Sequence, residues 1–241
     1  MERFNRVKLL IGSSALEKLQ NCKVALFGIG GVGGFTAEAL VRSGIGAISL
    51  FDNDTVAKTN LNRQIIATEQ TLGMDKVQVM KERLLSINPN VKVECNKVFY
   101  LPENAKDFDF SGYDYVIDAV DTVSAKLEII ERAKASGVPV ISCMGTGGKL
   151  DATKLKIADI KKTNGCPLAR VVRRELKKRG VDGVKVVYSE EERRMDDNEL
   201  DVLEVKGKNR VAPPSMIFVP SVAGILLAQE VVSDLITRKG E

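Results

Sequence analysis

The chain has 241 residues, with 36 Lys and Arg against 32 Asp and Glu, giving a formal net charge of +4. It contains no histidine, which excludes Ser-His and Cys-His nucleophile pairs and every His-ligated metal site. Its four cysteines (Cys22, Cys95, Cys143, Cys166) stand far apart without paired spacing, which argues against a disulfide framework or a Cys-rich zinc site and points to a reducing, cytoplasmic setting.

Residues 1–21 read as an N-terminal helical arm carrying Arg3, Phe4, Asn5 and Arg6, then Leu9, Leu10, Ile11, Leu16 and Leu19. Gly12-Ser13-Ser14 is expected to break it in two, with Ser13 or Ser14 as an N-cap. Such an arm packs on its own domain or on a second subunit. Next, the apolar run Val24–Phe27 enters Gly28-Ile29-Gly30-Gly31-Val32-Gly33, and an amphipathic stretch follows. This predicts strand, tight turn and helix N-terminus. Gly28 supplies a positive φ, Gly30 clears the backbone for a phosphate, and Gly33 lets the helix approach the strand. The free N–H groups at the start of the helix then face an anion. Asp52 closes a second apolar run nineteen residues after Gly33, the place of a ribose-binding acid in a nucleotide-binding βαβ unit.

The polar segment 52–64 leaves the carboxyl end of that strand, where ligands bind in open α/β sheets; its other reading is a solvated connection. A helix is expected from Gly73-Met74-Asp75-Lys76 to about Ile87, then a strand over Val91–Cys95. Tyr113–Thr122 reads as a buried strand ending in acids. A helix over Ser124–Ser136 with Gly137 as its C-cap, a strand over Val138–Cys143 and a turn at Gly145–Gly148 complete the alternation. Leu155–Ile160 and Val184–Tyr188 read as strands, and Pro167–Arg179 and Pro220–Ile236 as helices. Residues 189–214, highly charged, are expected to form a mobile insertion. No run reads as a leader or as long enough to span a bilayer, so no membrane association is expected.

The pattern predicts an α/β fold: a Rossmann-like, doubly wound, mainly parallel sheet extended by C-terminal strands. One domain is expected over 1–241, with the arm at 1–21, a nucleotide-binding core at 22–150 and a substrate-facing part at 151–241. Charge is segregated in that last part. Lys161–Lys185 holds nine basic residues and two acids (net +7), and Ser189–Glu204 holds eight acids and two arginines (net −6). The basic residues Arg170, Arg173, Arg174, Lys177 and Lys178 form either a solvated helix face or a contact surface for RNA phosphates.

Gly28-x-Gly30-Gly31-x-Gly33, Asp52-x-Asp54-x-Val56, Thr59-Asn60-Leu61-Asn62-Arg63-Gln64, Lys76 and Asp121 occur in order, and together resemble the HesA/MoeB/ThiF adenylating superfamily, to which ubiquitin-activating enzymes belong. The resemblance covers essentially the whole chain and implies adenylation of a carboxylate by ATP. It implies that the glycine turn holds phosphates and that Asp52 binds the ribose. Asn60, Arg63 and Lys76 would grip the triphosphate, with Asp54 and Gln64 in the same nucleotide-binding set. Asp121 would hold Mg²⁺, and Arg6 would reach the ATP of the partner subunit in a homodimer. Taken singly, Arg63 and Lys76 also read as surface cations and Asp121 as a helix N-cap. The chemistry fits the composition: a carboxylate attacking a negative α-phosphorus needs cations and positioning, not histidine.

Sulfur-carrier adenylyltransferases of this superfamily usually carry two Cys-x-x-Cys zinc pairs, which are absent here, so no zinc is expected. Arg42-Ser43-Gly44-Ile45-Gly46, Ile87-Asn88-Pro89, Pro167-Leu168-Ala169-Arg170 and the basic helix are similar to the branch that dehydrates threonylcarbamoyladenosine in tRNA. That resemblance implies tRNA as substrate and a cysteine-desulfurase system as partner. The alternative is activation of the C-terminus of a ubiquitin-like sulfur carrier. Cys166 stands near the thioester cysteine of some relatives, with Lys161, Lys162 and Arg170 nearby to favour a thiolate; the other reading is a bystander thiol.

Overall fold

A computed structural model describes residues 2–193 and 213–237. Its sheet has seven strands: β1 (Lys23–Phe27), β2 (Ala47–Phe51), β3 (Lys92–Asn96), β4 (Tyr115–Asp118), β5 (Val140–Cys143), β6 (Leu155–Asp159) and β7 (Lys185–Ser189). The spatial order is β3-β2-β1-β4-β5-β7-β6, and only β6 runs antiparallel, against β7. The helices are α1 (Asn5–Ile11), α2 (Ser13–Asn21), α3 (Gly33–Ser43), α4 (Lys76–Ile87), α5 (Val123–Ala135), α6 (Pro167–Lys178) and α7 (Phe218–Thr237). This is the doubly wound arrangement expected, and strands from both halves of the sequence share one sheet.

The five inner strands are buried on both faces, so successive side chains enter two cores. Val24, Leu26, Ile48, Leu50, Ile117 and Val187 point to one core with residues of α2, α3, α4 and α7. Ala25, Phe27, Val116, Val140 and Val186 point to the other with α5 and α6. Winding reverses between β1 and β4, so a crevice opens at the carboxyl ends of these strands.

Four local expectations are corrected. The cap of α2 is Gly12, at φ +87°, with Ser13 already inside the helix and no side-chain cap bond. Helix α4 starts at Lys76, after Asp75, because residues 73–75 are held in a short antiparallel bridge to Thr55. Helix α5 ends with Ser136 as its C-cap, and Gly137 follows at φ +69°. Helix α7, 20 residues of mean hydropathy 1.5, is long and apolar enough by length and composition to cross a bilayer, contrary to expectation. It serves as a core helix: the Gly224 carbonyl accepts the Thr36 hydroxyl of α3 at 3.0 Å, and a Cβ on Gly224 would stand 2.3 Å from the Val32 carbonyl oxygen. Most of the charged insertion, residues 194–212, lies outside the described residues.

Candidate active site

The glycine turn sits at the reversal point of the sheet. Gly28 adopts φ +90°, and its N–H donates to the Phe51 carbonyl at 2.8 Å. A Cβ there would meet the Ala119 carbonyl oxygen at 2.7 Å, so only glycine lets β1 and the loop after β4 close together. A Cβ on Gly33 would stand 1.7 Å from the Gly28 carbonyl oxygen, which forces glycine at the first residue of α3. Gly30 faces open space, with Gln64 Nε2 the nearest side-chain atom at 3.9 Å from a Cβ placed there. Gly31 lies under the Arg63 stem and Pro220, each 3.3 Å from such a Cβ.

Asp52, just past β2, accepts the Ile29 N–H at 2.6 Å and the Asp54 N–H at 2.9 Å. Its carboxylate is thereby fixed beside the turn. Burial raises its pKa above the ordinary aspartate value, against the lowering effect of Lys76 and the two amides. Lys76 lies 22 residues after Asp54 in sequence but is brought back by main-chain bonds. The Val56 N–H donates to Met74, the Gly73 N–H to Val56 and the Lys76 N–H to Asp54. The Lys76 side chain, 6 % exposed, donates to Asp54 Oδ2 at 2.7 Å. Lys76 is thus a buried cation, not a surface one, and Asp54 is its counter-ion.

Arg63 is half-buried, which lowers its pKa by desolvation, yet a guanidinium stays charged. It donates to the Thr59 carbonyl at 2.8 Å and to Asn62 Oδ1 at 2.9 Å, over Gly31. Asn60 is buried and spends its Oδ1 on the Ala57 N–H at 3.0 Å, so it shapes the loop that presents Arg63. Gln64 is buried, and its Oε1 has no hydrogen-bond partner among the described residues. Asp121 stands exposed in the loop between β4 and α5, three residues past Asp118, near Thr122 Oγ1 at 3.5 Å.

The crevice therefore brings together the glycine turn, Asp52, Asp54, Asn60, Arg63, Gln64 and Lys76, with Asp121 on the loop that abuts Gly28. Arg6 is not among them: it is exposed on α1, in the arm. The exposed carboxylate of Asp121 fits a hard divalent cation, which takes oxygen ligands. Asp118 does not, because it is consumed by Lys126. Sequence reasoning passed over Asp118, Lys126 and Ser142, which form a fully buried cluster under the same loop. The available signal was an acid ending an apolar strand and a lysine eight residues later on the buried side of a helix.

Cys166 is 4 % exposed and stands at the N-cap of α6, where its side chain makes no capping bond. Its Sγ would lie 3.7 Å from a Cβ on Gly145, and it interacts electrostatically with buried Lys149. It is an interior thiol. Cys143, also interior, is pushed up to about 12 by burial. Of the basic residues on α6, Arg170, Arg174, Lys177 and Lys178 are exposed. Arg173 is not free: it donates to the Thr163 carbonyl at 2.7 Å and to Thr163 Oγ1 at 2.6 Å, tying α6 to the preceding segment. Glu191, at the start of the charged insertion, is buried rather than solvated and accepts the Leu150 and Asp151 N–H groups at 3.1 and 2.9 Å. A cleft of about 540 Å³ opens at the opposite, amino edge of the sheet, but its cations are engaged: Lys185 by Glu230 and Asp234, Lys134 by the Gly183 carbonyl.

A model of the ThiF family matches residues 4–241. The tRNA threonylcarbamoyladenosine dehydratase of Bacillus subtilis is 44 % identical over 98 % of this chain and 95 % of its own length. That of Escherichia coli is 39 % identical over 79 % of this chain and 74 % of its own length. The crystal structure of the Escherichia coli tRNA N6-threonylcarbamoyladenosine dehydratase in complex with ATP superposes with a TM-score of 0.86 at 33 % identity, covering 98 % of this chain and 94 % of that one. The same enzyme in complex with AMP gives 0.87. With its glycine turn, Asp52 and Lys76 assembled at the reversal point of the sheet, this chain belongs to the ThiF family.

Proposed function

We propose that this chain is an ATP-dependent tRNA threonylcarbamoyladenosine dehydratase. The observation that carries the reading is buried Lys76, paired with Asp54 beside Asp52 and the glycine turn, in a chain that matches dehydratases of this name over nearly its full length. The turn and the N-terminus of α3 offer N–H groups to the phosphates, and Asp52 accepts from the ribose. Lys76 and Arg63 set positive charge where negative charge gathers on the phosphate oxygens as the α-phosphorus is attacked. The threonyl carboxylate attacks the α-phosphorus, an acyl-adenylate forms and pyrophosphate leaves. A carbamoyl atom of the same side chain then attacks the acyl carbon and AMP leaves, so the nucleoside loses one water and closes a ring. The nucleophile is internal, so no step requires a thiol, in keeping with the burial of Cys166.

Asp121 would hold Mg²⁺, which neutralises charge on the phosphate oxygens when bound. The exposed cations of α6 would meet the tRNA backbone. The protein acts as a homodimer in the cytoplasm, away from membranes. Leu9 and Leu10, 86 % and 85 % exposed on the same short helix as Arg6, are apolar surface that a second subunit would cover.

The test uses tRNA bearing threonylcarbamoyladenosine. It is incubated with the protein and Mg-ATP at mild pH, digested to nucleosides and analysed by mass spectrometry. The expected result is loss of one water that depends on ATP and vanishes in Asp121→Ala. An unchanged nucleoside from a folded, ATP-binding protein overturns the reading and turns attention to protein carboxylates.

A further inference from the structure

Beneath the crevice lie three polar side chains that the chemistry above does not use. Asp118, the last residue of β4, Lys126, in the first turns of α5, and Ser142, in β5, are all 0 % exposed. Lys126 Nζ donates to Asp118 Oδ2 at 2.8 Å and lies 3.3 Å from Ser142 Oγ, which itself donates to Asp118 Oδ2 at 2.5 Å. The other oxygen, Asp118 Oδ1, accepts the Val120 N–H at 3.1 Å. One carboxylate thus joins the end of β4, the start of α5, β5 and the intervening loop.

That loop is 119–122. Its first residue packs its carbonyl against Gly28, and its third is Asp121. Stability alone is a poor reason for such a cluster. Removing two charges from water costs about as much as their attraction returns, and apolar side chains of similar volume often do as well or better. What a satisfied buried network supplies is a single geometry. We propose that Asp118, Lys126 and Ser142 are positioning residues that fix the loop carrying Asp121 against the glycine turn. The inference rests on the adenylating reading for its use of ATP and of Mg²⁺ at Asp121 as probes.

The test compares the full-length wild type with the triple variant Asp118→Leu/Lys126→Met/Ser142→Ala, which removes the network without leaving a lone buried charge. Two measurements are made. The first is amide hydrogen exchange of the free protein over residues 119–124. The second is ATP binding by calorimetry, in Mg²⁺ and in EDTA. Exchange over this loop is expected to speed up while the sheet stays protected. ATP affinity in EDTA should change little, but the strengthening that Mg²⁺ gives the wild type should fall by about tenfold or more, the usual scale for an outer-shell partner. Adding Asp121→Ala should abolish the Mg²⁺ effect in the wild type and remove only its remainder in the triple variant, because both act through one group. A merely structural network predicts additive losses.

Unchanged exchange over 119–124, or a folded triple variant that keeps the Mg²⁺ effect, overturns the proposal. If the triple variant does not fold, Ser142→Ala keeps the ion pair and is read by the same two measurements, with a smaller change in each; no change in either overturns it. A wild type that binds no ATP sinks the adenylating reading, and loop exchange still decides the network.

Discussion

Asp52 is held where its charge is costly, and this gives it a pH signature. Burial raises its pKa, so folding favours the protonated form, and acidification discharges it at a pH above the ordinary 3.8. The neutral acid has an oxygen that no longer accepts well from both an amide and a ribose hydroxyl. ATP affinity should therefore fall on the acid side with a midpoint above 3.8, while Asp52→Asn binds weakly, by about tenfold or more, and lacks that midpoint. Titrating binding by fluorescence across pH, with circular dichroism to confirm the fold, checks it. At this scale the sequence was informative where a residue type is forced. Gly28 and Gly33 read directly from spacing because backbone geometry admits nothing larger. Asp118 and Lys126 did not, since their role comes from an ion pair across two elements, which no local pattern encodes.

Helix α6 shows what the pattern of an element reveals and what it conceals. Its apolar stripe of Ala169, Val172 and Leu176 faces the core as its periodicity requires, and Pro167 starts it. Its cations looked alike in sequence but have separate roles. Arg173 is turned back to Thr163, Arg174 and Lys178 share Glu175, and Arg179 pairs with Glu131, while Arg170 and Lys177 have no acidic partner among the described residues. Arg170→Glu/Lys177→Glu should weaken tRNA binding across sequences and flatten the log–log salt slope by roughly one to two, leaving ATP binding intact. Arg173→Ala should instead lower thermal stability, because it leaves the buried Thr163 hydroxyl and carbonyl short of a donor. Filter binding at several salt concentrations, beside thermal melts, separates the two. Element boundaries were legible to within a few residues. Helix α4 starts late because its first turn is claimed by pairing with Thr55, a contact between distant segments.

For the whole molecule, the order of the sheet follows from alternating strand and helix signals, but the site is completed by segments that no such signal places. Pro220 and Ser215 approach Gly31 and Asn62 from the far end of the chain. If Arg6 serves the neighbouring subunit, the defect of Arg6→Ala is complemented by a subunit that is defective elsewhere. Mixing inactive Arg6→Ala with inactive Asp121→Ala, after dissociation and reassociation, should restore roughly a quarter of wild-type activity: half the dimers are mixed, and each mixed dimer has one intact site. An arm acting within its own subunit gives no recovery.

The arm itself is anchored at its root. Arg3 donates to the Ile87 carbonyl and to Asn88 Oδ1, both at 3.1 Å, and Phe4 is buried, while Leu9 and Leu10 stand out in water. A limb clamped at its base keeps its shape before it meets anything, so docking does not have to freeze a wandering chain. If the homodimer is the active form, dilution should silence the protein without unwinding it, and activity lost on dilution should return as fast as two preformed surfaces collide.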